Sequence, residues 1–270
     1  MYKVISNEVL APEVHRMIVE APRVADARRP GQFVIVRSDD GAERIPLTIA
    51  DADTDAGTIT IIVQAMGDGT RRIAAVGAGQ ALRDVAGPLG RPAEIDTWGK
   101  VVCVGGGVGT AVLFPMARAL ADAHNEVTAI IGGRSEPYVI LRDELARFCS
   151  EVLVTTEDGS LGTKGLVTAV LGEILADRAR RPRAVFAVGP VPMMAAVADM
   201  TRPHGIKTVA SLNAIMVDGT GMCGGCRVTV GGEIRFTCVD GPEFDAHQVD
   251  FAELAQRQKT YDDNAHCRLA

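Results

Sequence analysis

Apolar and polar positions change rhythm twice along the 270 residues. From residue 1 to about 97, β-forming runs recur at Val14–Val19, Gln32–Arg37, Ile45–Ala50 and Thr58–Gln64, with Gly, Pro and Asp between them. Short strands punctuated in this way predict an antiparallel barrel or sandwich. A single helical turn is expected in this stretch, near Thr70–Val76.

From Trp98 to about Leu212, short continuous apolar runs replace the alternating ones: VVCV (101–104), VTAII (127–131), VLVTT (152–156), AVFAV (184–188) and TVAS (208–211). Ala- and Leu-rich segments of helical length lie between several of them. Strands that are apolar on both faces and alternate with helices predict a doubly wound α/β domain with a parallel sheet. Asn213–Ala270 forms a third stretch: a cysteine cluster, the hairpin pattern VTVGGEIRFTC, and a polar helical tail over Asp250 to about Asp262. The domains expected are therefore 1–97, 98–212 and 213–270.

Composition narrows the class. With 47% hydrophobic and 23% charged residues the chain reads as an ordinary globular protein, and its net charge of −6 argues against a nucleic-acid partner. Lys3 and Glu8 interrupt any apolar leader at the N-terminus. The longest uncharged stretch, Val101–Ala117, contains four glycines and a proline, so no membrane span is expected. The expected location is cytoplasmic. In that compartment cysteines clustered within a few turns of chain favour metal over disulfide.

That cluster is the most specific chemical signal. Asp218-Gly-Thr-Gly-Met-Cys223-Gly-Gly-Cys226 is followed, after eleven residues, by Cys238. A glycine-rich loop can wrap closely around an inorganic core, and thiolates two residues apart can hold neighbouring coordination positions. With cysteine in place of Asp218 this would be the plant-type spacing of a [2Fe–2S] centre. A structural zinc site would need a second close ligand pair, which the spacing lacks. Asp218 and Cys267 both stand as candidates for the fourth ligand, with the register favouring Asp218.

A second signal, Val101-Val-Cys-Val-Gly105-Gly106-Gly107-Val108-Gly109-Thr110, is a buried strand running through glycines into a helix. Glycines let the backbone approach a pyrophosphate, and the helix N-terminus offers unpaired N–H groups. Thr110 departs from the usual fingerprint, so a plain tight turn is the competing reading. Gly133-Arg134, Glu157-Asp158 and Gly189-Pro190 follow later strands and should collect at the same carboxyl edge. In the first stretch, Arg44-Ile-Pro46-Leu47-Thr48, Val63-Gln64 and Gly69-Thr70 combine a cation, hydroxyls and a helix start. These suit a diphosphate and a ring system, although by themselves a barrel strand and turn explain them better. The histidines accompany no Ser or Cys nucleophile, which disfavours hydrolase chemistry.

Taken in order, these pieces resemble the ferredoxin–NADP reductase family of flavoproteins over essentially the whole chain. Within it they are most similar to small electron-transfer subunits, those of NADH-dependent reduced ferredoxin:NADP oxidoreductase and of dihydroorotate dehydrogenase. The run MVDGTGMCGGCRV and the tail VDFAELAQRQKTY carry the closer likeness to the first. The resemblance implies a flavin (FAD) bound by Arg44, Pro46, Leu47, Thr48, Val63, Gln64, Gly69 and Thr70. Leu47 stands where an aromatic commonly stacks on the flavin. It further implies NAD(H) or NADP(H) on Gly107–Thr110, and a [2Fe–2S] cluster on Asp218, Cys223, Cys226 and Cys238. The implied chemistry passes hydride between nicotinamide and flavin, then single electrons through the cluster, with no dedicated acid or base. The implied partner is a larger flavin and iron–sulfur subunit of an electron-bifurcating heterodimer, with ferredoxin reached through it. Arg134 could meet a 2′-phosphate, so the choice of nucleotide stays open between NAD and NADP. The rival readings are a subunit of another NAD(P)H-linked reductase and a zinc-stabilised nucleotide-binding protein without a redox role.

Overall fold

The computed structural model describes residues 1–259. His266 and Cys267, and the end of the tail helix expected to about Asp262, lie outside them. The first sheet contains β1 (Tyr2–Ala11), β2 (Val14–Glu20), β3 (Phe33–Arg37), β4 (Ile45–Asp53), β5 (Thr58–Gln64), β6 (Ala81–Leu82) and β7 (Asp84–Leu89). All its pairings are antiparallel, in the order β6-β1-β2-β5-β4-β3-β7. The two edge strands are consecutive in the chain and joined through Arg83, which nearly closes the sheet into a barrel. Met17, Val19, Val34, Val36, Ile59, Ile61 and Val63 fill its interior. Their every-other-residue spacing puts them on one face of each strand. Two short helices, α1 (Pro22–Ala27) and α2 (Asp68–Ala74), cover the openings.

The second sheet contains β8 (Lys100–Gly106), β9 (Glu126–Gly133), β10 (Glu151–Thr156), β11 (Thr163–Lys164), β12 (Ala184–Val188), β13 (Lys207–Ser211) and β16 (Glu243–Asp245). Its order is β11-β10-β9-β8-β12-β13-β16, parallel except for β16. Alternate residues of its apolar strands serve two cores, as a sheet covered on both faces requires. Val101, Cys103, Val127, Ala129 and Phe186 meet α3 (Gly109–Asp122) and the outer wall of the barrel. Val102, Val104, Ile130, Val185 and Ala187 meet α5 (Val167–Ala176) and α6 (Val191–Thr201). A short α4 (Arg142–Leu145) completes this part, and its Glu144 pairs with Arg16 of β2 at 3.0 Å.

The last stretch is not packed apart from the sheet. Its hairpin, β14 (Arg227–Val230) and β15 (Glu233–Phe236), turns at Gly231 and Gly232, both at positive φ as a tight two-residue turn demands. Helix α7 (Thr237–Asp240) follows, and α8 (Phe251–Lys259) lies on α6. Cys226, Cys238 and Leu254 are buried in the same core as α5 and α6. No helix of the described residues is long and apolar enough to cross a membrane.

Candidate functional site

Between β8 and β12 the chain leaves the sheet in opposite directions, which opens a crevice at the carboxyl edge. This crevice is one wall of a cleft of about 1120 Å³, and the barrel strands β4 and β5 form the other. Of the residues singled out in the sequence, the cleft gathers Pro46, Leu47, Thr48, Gln64, Gly69 and Thr70 from the barrel side. From the sheet side it gathers Gly107, Val108, Gly109, Gly133, Arg134, Glu157, Gly189 and Pro190.

Four others stand elsewhere. Val63 is fully buried inside the barrel, and Thr110 is buried beneath the start of α3. Arg44 is exposed just before β4, outside the cleft lining. Asp158 is exposed, and its carboxylate accepts the Ser160 N–H at 2.9 Å and the Ser160 hydroxyl at 2.7 Å. Those two bonds hold the Asp158 carboxyl below the usual carboxylate range. Asp158 therefore shapes the loop after β10.

The glycines divide by physical cause. Gly107 has φ +56, a left-handed conformation that favours glycine, and an added Cβ would meet nothing within 4 Å. It lies open to the cleft. Gly109 is different, because a Cβ there would stand 2.6 Å from the Val188 carbonyl oxygen. Its small size lets α3 sit against the end of β12, and packing alone accounts for it. No side chain caps α3; the N–H groups of Gly107, Thr110 and Ala111 donate to the carbonyls of Gly132, Gly107 and Val108 at 2.8, 3.1 and 2.9 Å, so an anion at this turn would meet the Val108 and Gly109 N–H groups and the positive end of the helix. At α2 the Thr70 hydroxyl accepts the N–H groups of Met66 and Gly67, both at 3.0 Å, and donates to the Gly67 carbonyl at 2.9 Å. That hydroxyl fixes the helix start and leaves the backbone to meet a ligand. Leu47 lines the cleft but rests on the barrel core.

The cleft also takes residues that the sequence did not single out, among them Phe33, Met66, Tyr138, Leu166 and Ser211. Tyr138 had a local signal, since it lies four residues after Arg134, and the guanidinium stands 4.9 Å from its ring centre. The others are brought in by tertiary packing.

The cysteine loop sits beside this cleft. Gly219, at φ +76, lies so close to the barrel that a Cβ would come within 2.8 Å of Ile35 and 2.9 Å of Leu89. Ala214 and Met216 line the cleft and share a core with Cys226 and Cys238. The sulfur atoms of Cys226 and Cys238 are 3.2 Å apart, while Cys223 is exposed and its sulfur accepts the Gly225 N–H at 3.5 Å. Asp218 Oδ1 accepts the Thr220 N–H and Oδ2 the Cys223 N–H, each at 2.8 Å, which holds its carboxyl below the usual range. Burial pushes the Cys238 thiol up to about 12. Among the described residues, no three His, Cys, Asp or Glu side chains converge on a single metal-ion site. The four candidate ligands stand as two pairs of neighbours, Asp218 with Cys223 through a backbone N–H and Cys226 with Cys238 through their sulfur atoms. Three thiols and a carboxylate on such a loop are donors that suit iron better than a hard cation.

Comparison with known proteins fits this geometry. Residues 213–250 match the iron–sulfur cluster binding domain of dihydroorotate dehydrogenase B. The electron-transfer subunit homologue of dihydroorotate dehydrogenase B (NAD(+)) from Thermotoga maritima is 43% identical over 259 residues, 96% of this chain and 91% of that one. The corresponding subunit from Fusobacterium nucleatum is 32% identical over 252 residues, 90% of this chain and 95% of its own. A chain in the solved structure of NADH-dependent reduced ferredoxin-NADP oxidoreductase, a system of flavin-based electron bifurcation, superposes with a TM-score of 0.92. It is 42% identical, and the match covers 97% of this chain and 94% of that one. The chain belongs to the family of electron-transfer subunits of dihydroorotate dehydrogenase B and their homologues, and is a redox subunit of an oxidoreductase.

Proposed function

We propose that this subunit takes electrons from, or returns them to, NAD(H) through FAD and a [2Fe–2S] cluster, in complex with a larger flavin and iron–sulfur subunit of a bifurcating ferredoxin:NADP oxidoreductase. The observation that carries the reading is continuity. One cleft joins a barrel wall to a glycine-rich switch point, and the cysteine loop is seated on the same barrel strand β3 that contributes Phe33 to the cleft. In this reading residues 1–97 hold the flavin, 98–212 the nicotinamide nucleotide, and 213–270 the cluster, all in the cytoplasm.

The bound groups supply the hydride and single-electron chemistry, and the chain supplies position and exclusion of water. Pro46, Leu47, Thr48 and Gln64 form the barrel-side wall for a flavin ring. Arg44, Gly69 and Thr70 flank the start of α2, where backbone N–H groups meet phosphate. Gly107–Gly109 and α3 receive the nucleotide pyrophosphate, while Arg134 and Glu157 stand at the rim for the ribose. Asp218, Cys223, Cys226 and Cys238 hold the iron, and ligation offsets the cost of keeping the Cys238 sulfur ionised in a buried setting.

Anaerobic purification followed by a visible spectrum, with flavin, iron, acid-labile sulfide and zinc measured on one sample, tests this. FAD and a pair of irons per chain, with bleaching by NADH, is the expected result. A colourless zinc protein would sink the redox reading. Bleaching by NADPH alone would reassign the nucleotide, and copurification with a dihydroorotate-oxidising subunit would reassign the partner.

A further inference from the structure

The titratable side chains of the large cleft stand at its rim. Glu43, Arg134 and Glu157 are exposed and Tyr138 is half-buried. Its interior offers two buried hydroxyls, Thr155 and Ser211. Ser211 is backed by a carboxyl. In the antiparallel β13–β16 pair it lies directly opposite Glu243, so the two side chains share a face of the sheet. That register sets the Ser211 hydroxyl beside the Glu243 carboxyl. Among the described residues, Glu243 Oε1 is the buried side-chain oxygen left without a hydrogen-bond partner. The carboxyl presses on the barrel as well, since a Cβ at Gly31 would stand 2.9 Å from both of its oxygens. A buried acceptor with no partner is an unfavourable choice for stability alone. Desolvation pushes Glu243 up to about 8.

Glu243 also lines a second cavity of about 680 Å³ on the far side of this junction. The charged and titratable groups facing that cavity are Arg91, Glu94, Lys207, Asp240, Asp245 and His247. Arg91 pairs with Asp240 at 3.4 Å, Lys207 with Glu94 at 2.7 Å, and the His247 ring with the Thr201 hydroxyl at 2.9 Å. Glu243 thus stands between two open spaces, reaching the cleft through Ser211 and the second cavity directly.

Oxidation of NADH yields NAD⁺, a proton and two electrons. In the function proposed above, on which this inference rests, the electrons leave singly through the cluster to the partner subunit, and the proton has to reach water by another route. We propose that Ser211 and Glu243 are that route, a proton path from the interior of the cleft to the second cavity. Glu243 releases its proton to water in the second cavity and regains one from the Ser211 hydroxyl. Ser211 is restored by a proton from the cleft. One proton enters for each that leaves, no covalent bond to carbon changes, and no electron moves along the path.

The test uses the full chain with flavin and cluster bound, as wild type, Glu243→Gln, Glu243→Asp and Ser211→Ala; flavin and iron content report whether each variant is assembled. Infrared difference spectra are expected to show a buried protonated carboxyl that shifts when NADH reduces the wild type and is missing in Glu243→Gln. Stopped-flow reoxidation of the NADH-reduced protein by ferricyanide is expected to slow about tenfold or more in Glu243→Gln and Ser211→Ala. The solvent deuterium isotope effect should disappear in the same two variants, and Glu243→Asp should recover part of the rate. Unchanged reoxidation and isotope effect in Glu243→Gln, or a wild type without the carboxyl band, overturns the path. A wild type that binds no flavin, or that NADH does not bleach, overturns the proposed function and the path with it.

Discussion

The cleft and the cysteine loop are built on opposite plans. The cleft is a product of the fold: dozens of residues from a barrel and a sheet enclose it, and much of its surface is backbone and apolar side chain. The loop is a product of local sequence, with four candidate ligands inside residues 218–238, two of them buried and Cys223 exposed. A cavity held by two cores keeps its shape without a ligand. A thiol loop of glycines is held by what it ligates. Damage to the loop should therefore remove one cofactor and spare the other, while damage to the packed walls of the cleft should act through folding.

The largest expected effect tests the loop. Cys238→Ala should abolish iron and acid-labile sulfide while flavin stays bound and NADH still bleaches it, as measured by metal analysis and visible spectra. Loss of flavin as well would show that the two regions are one cooperative unit, which their shared core would then explain. Asp218→Asn separates two roles of one side chain. Its amide oxygen can still accept the Thr220 N–H, but it lacks the charge of a ligand. A labile cluster with an altered EPR signal is expected, and an unaltered signal would leave Asp218 as a turn former.

The next effect belongs to the cleft. Gly109→Ala places a Cβ 2.6 Å from the Val188 carbonyl oxygen and 3.0 Å from Gly189 Cα, against backbone that cannot step aside cheaply. Overpacking of this kind costs about 1–3 kcal/mol. For a chain of this size that lowers the Tm by roughly 3–10 °C, readable by calorimetry. A stability loss without any change in cluster content would support the contrast between the regions.

Glu243 gives a comparable effect that depends on pH. Its carboxyl has the ordinary value of 4.5 when unfolded, and burial pushes it up to about 8 in the folded chain. Between those values the unfolded state binds fewer protons, so stability falls as pH rises. Glu243→Gln removes that slope. The variant should gain on wild type from about pH 5 upward and level off above about pH 8, by on the order of a few kcal/mol at most. Parallel denaturation curves for the two proteins across this range would show that Glu243 does not titrate as its burial implies.

How much of this was legible in the sequence follows from the same contrast. The loop could be read as a place, because Asp218, Cys223, Cys226 and Cys238 stand at close spacing, and the structure brings Asp218 beside Cys223 and Cys226 beside Cys238. So could the β14–β15 turn, whose Gly231 and Gly232 both take the positive φ that a tight hairpin uses. The apolar strands of the parallel sheet announced themselves by composition. Strand β1 did not, because Lys3, Ser6, Asn7 and Glu8 break any simple alternation where it bulges against β2. Strand β16 is three residues long and exists by pairing with β13, more than thirty residues earlier, so no local pattern could mark it. Glu243 looked like one acidic residue among several for the same reason. The glycine-rich turn was legible as a place but not as a set of causes: Gly107 serves conformation and Gly109 serves packing, a difference that depends on where β12 ends.

The smallest expected effect puts that difference to use. Gly107→Ala introduces a Cβ into open space, so nothing collides, and the cost is the left-handed backbone, about 1 kcal/mol. A methyl group on the cleft surface should still obstruct a pyrophosphate drawn close to the backbone. The KM for NADH is therefore expected to rise several-fold while flavin content stays at its wild-type level, by steady-state reduction of a dye. If Gly107→Ala lowers the Tm by the amount that strain predicts and leaves the KM for NADH unmoved, the loop is a turn between β8 and α3 and the nucleotide lies elsewhere in the cleft. If the KM moves with little loss of stability, the glycine that the fold leaves open is the one the ligand uses. The glycine that the fold closes, Gly109, then owes its place to β12.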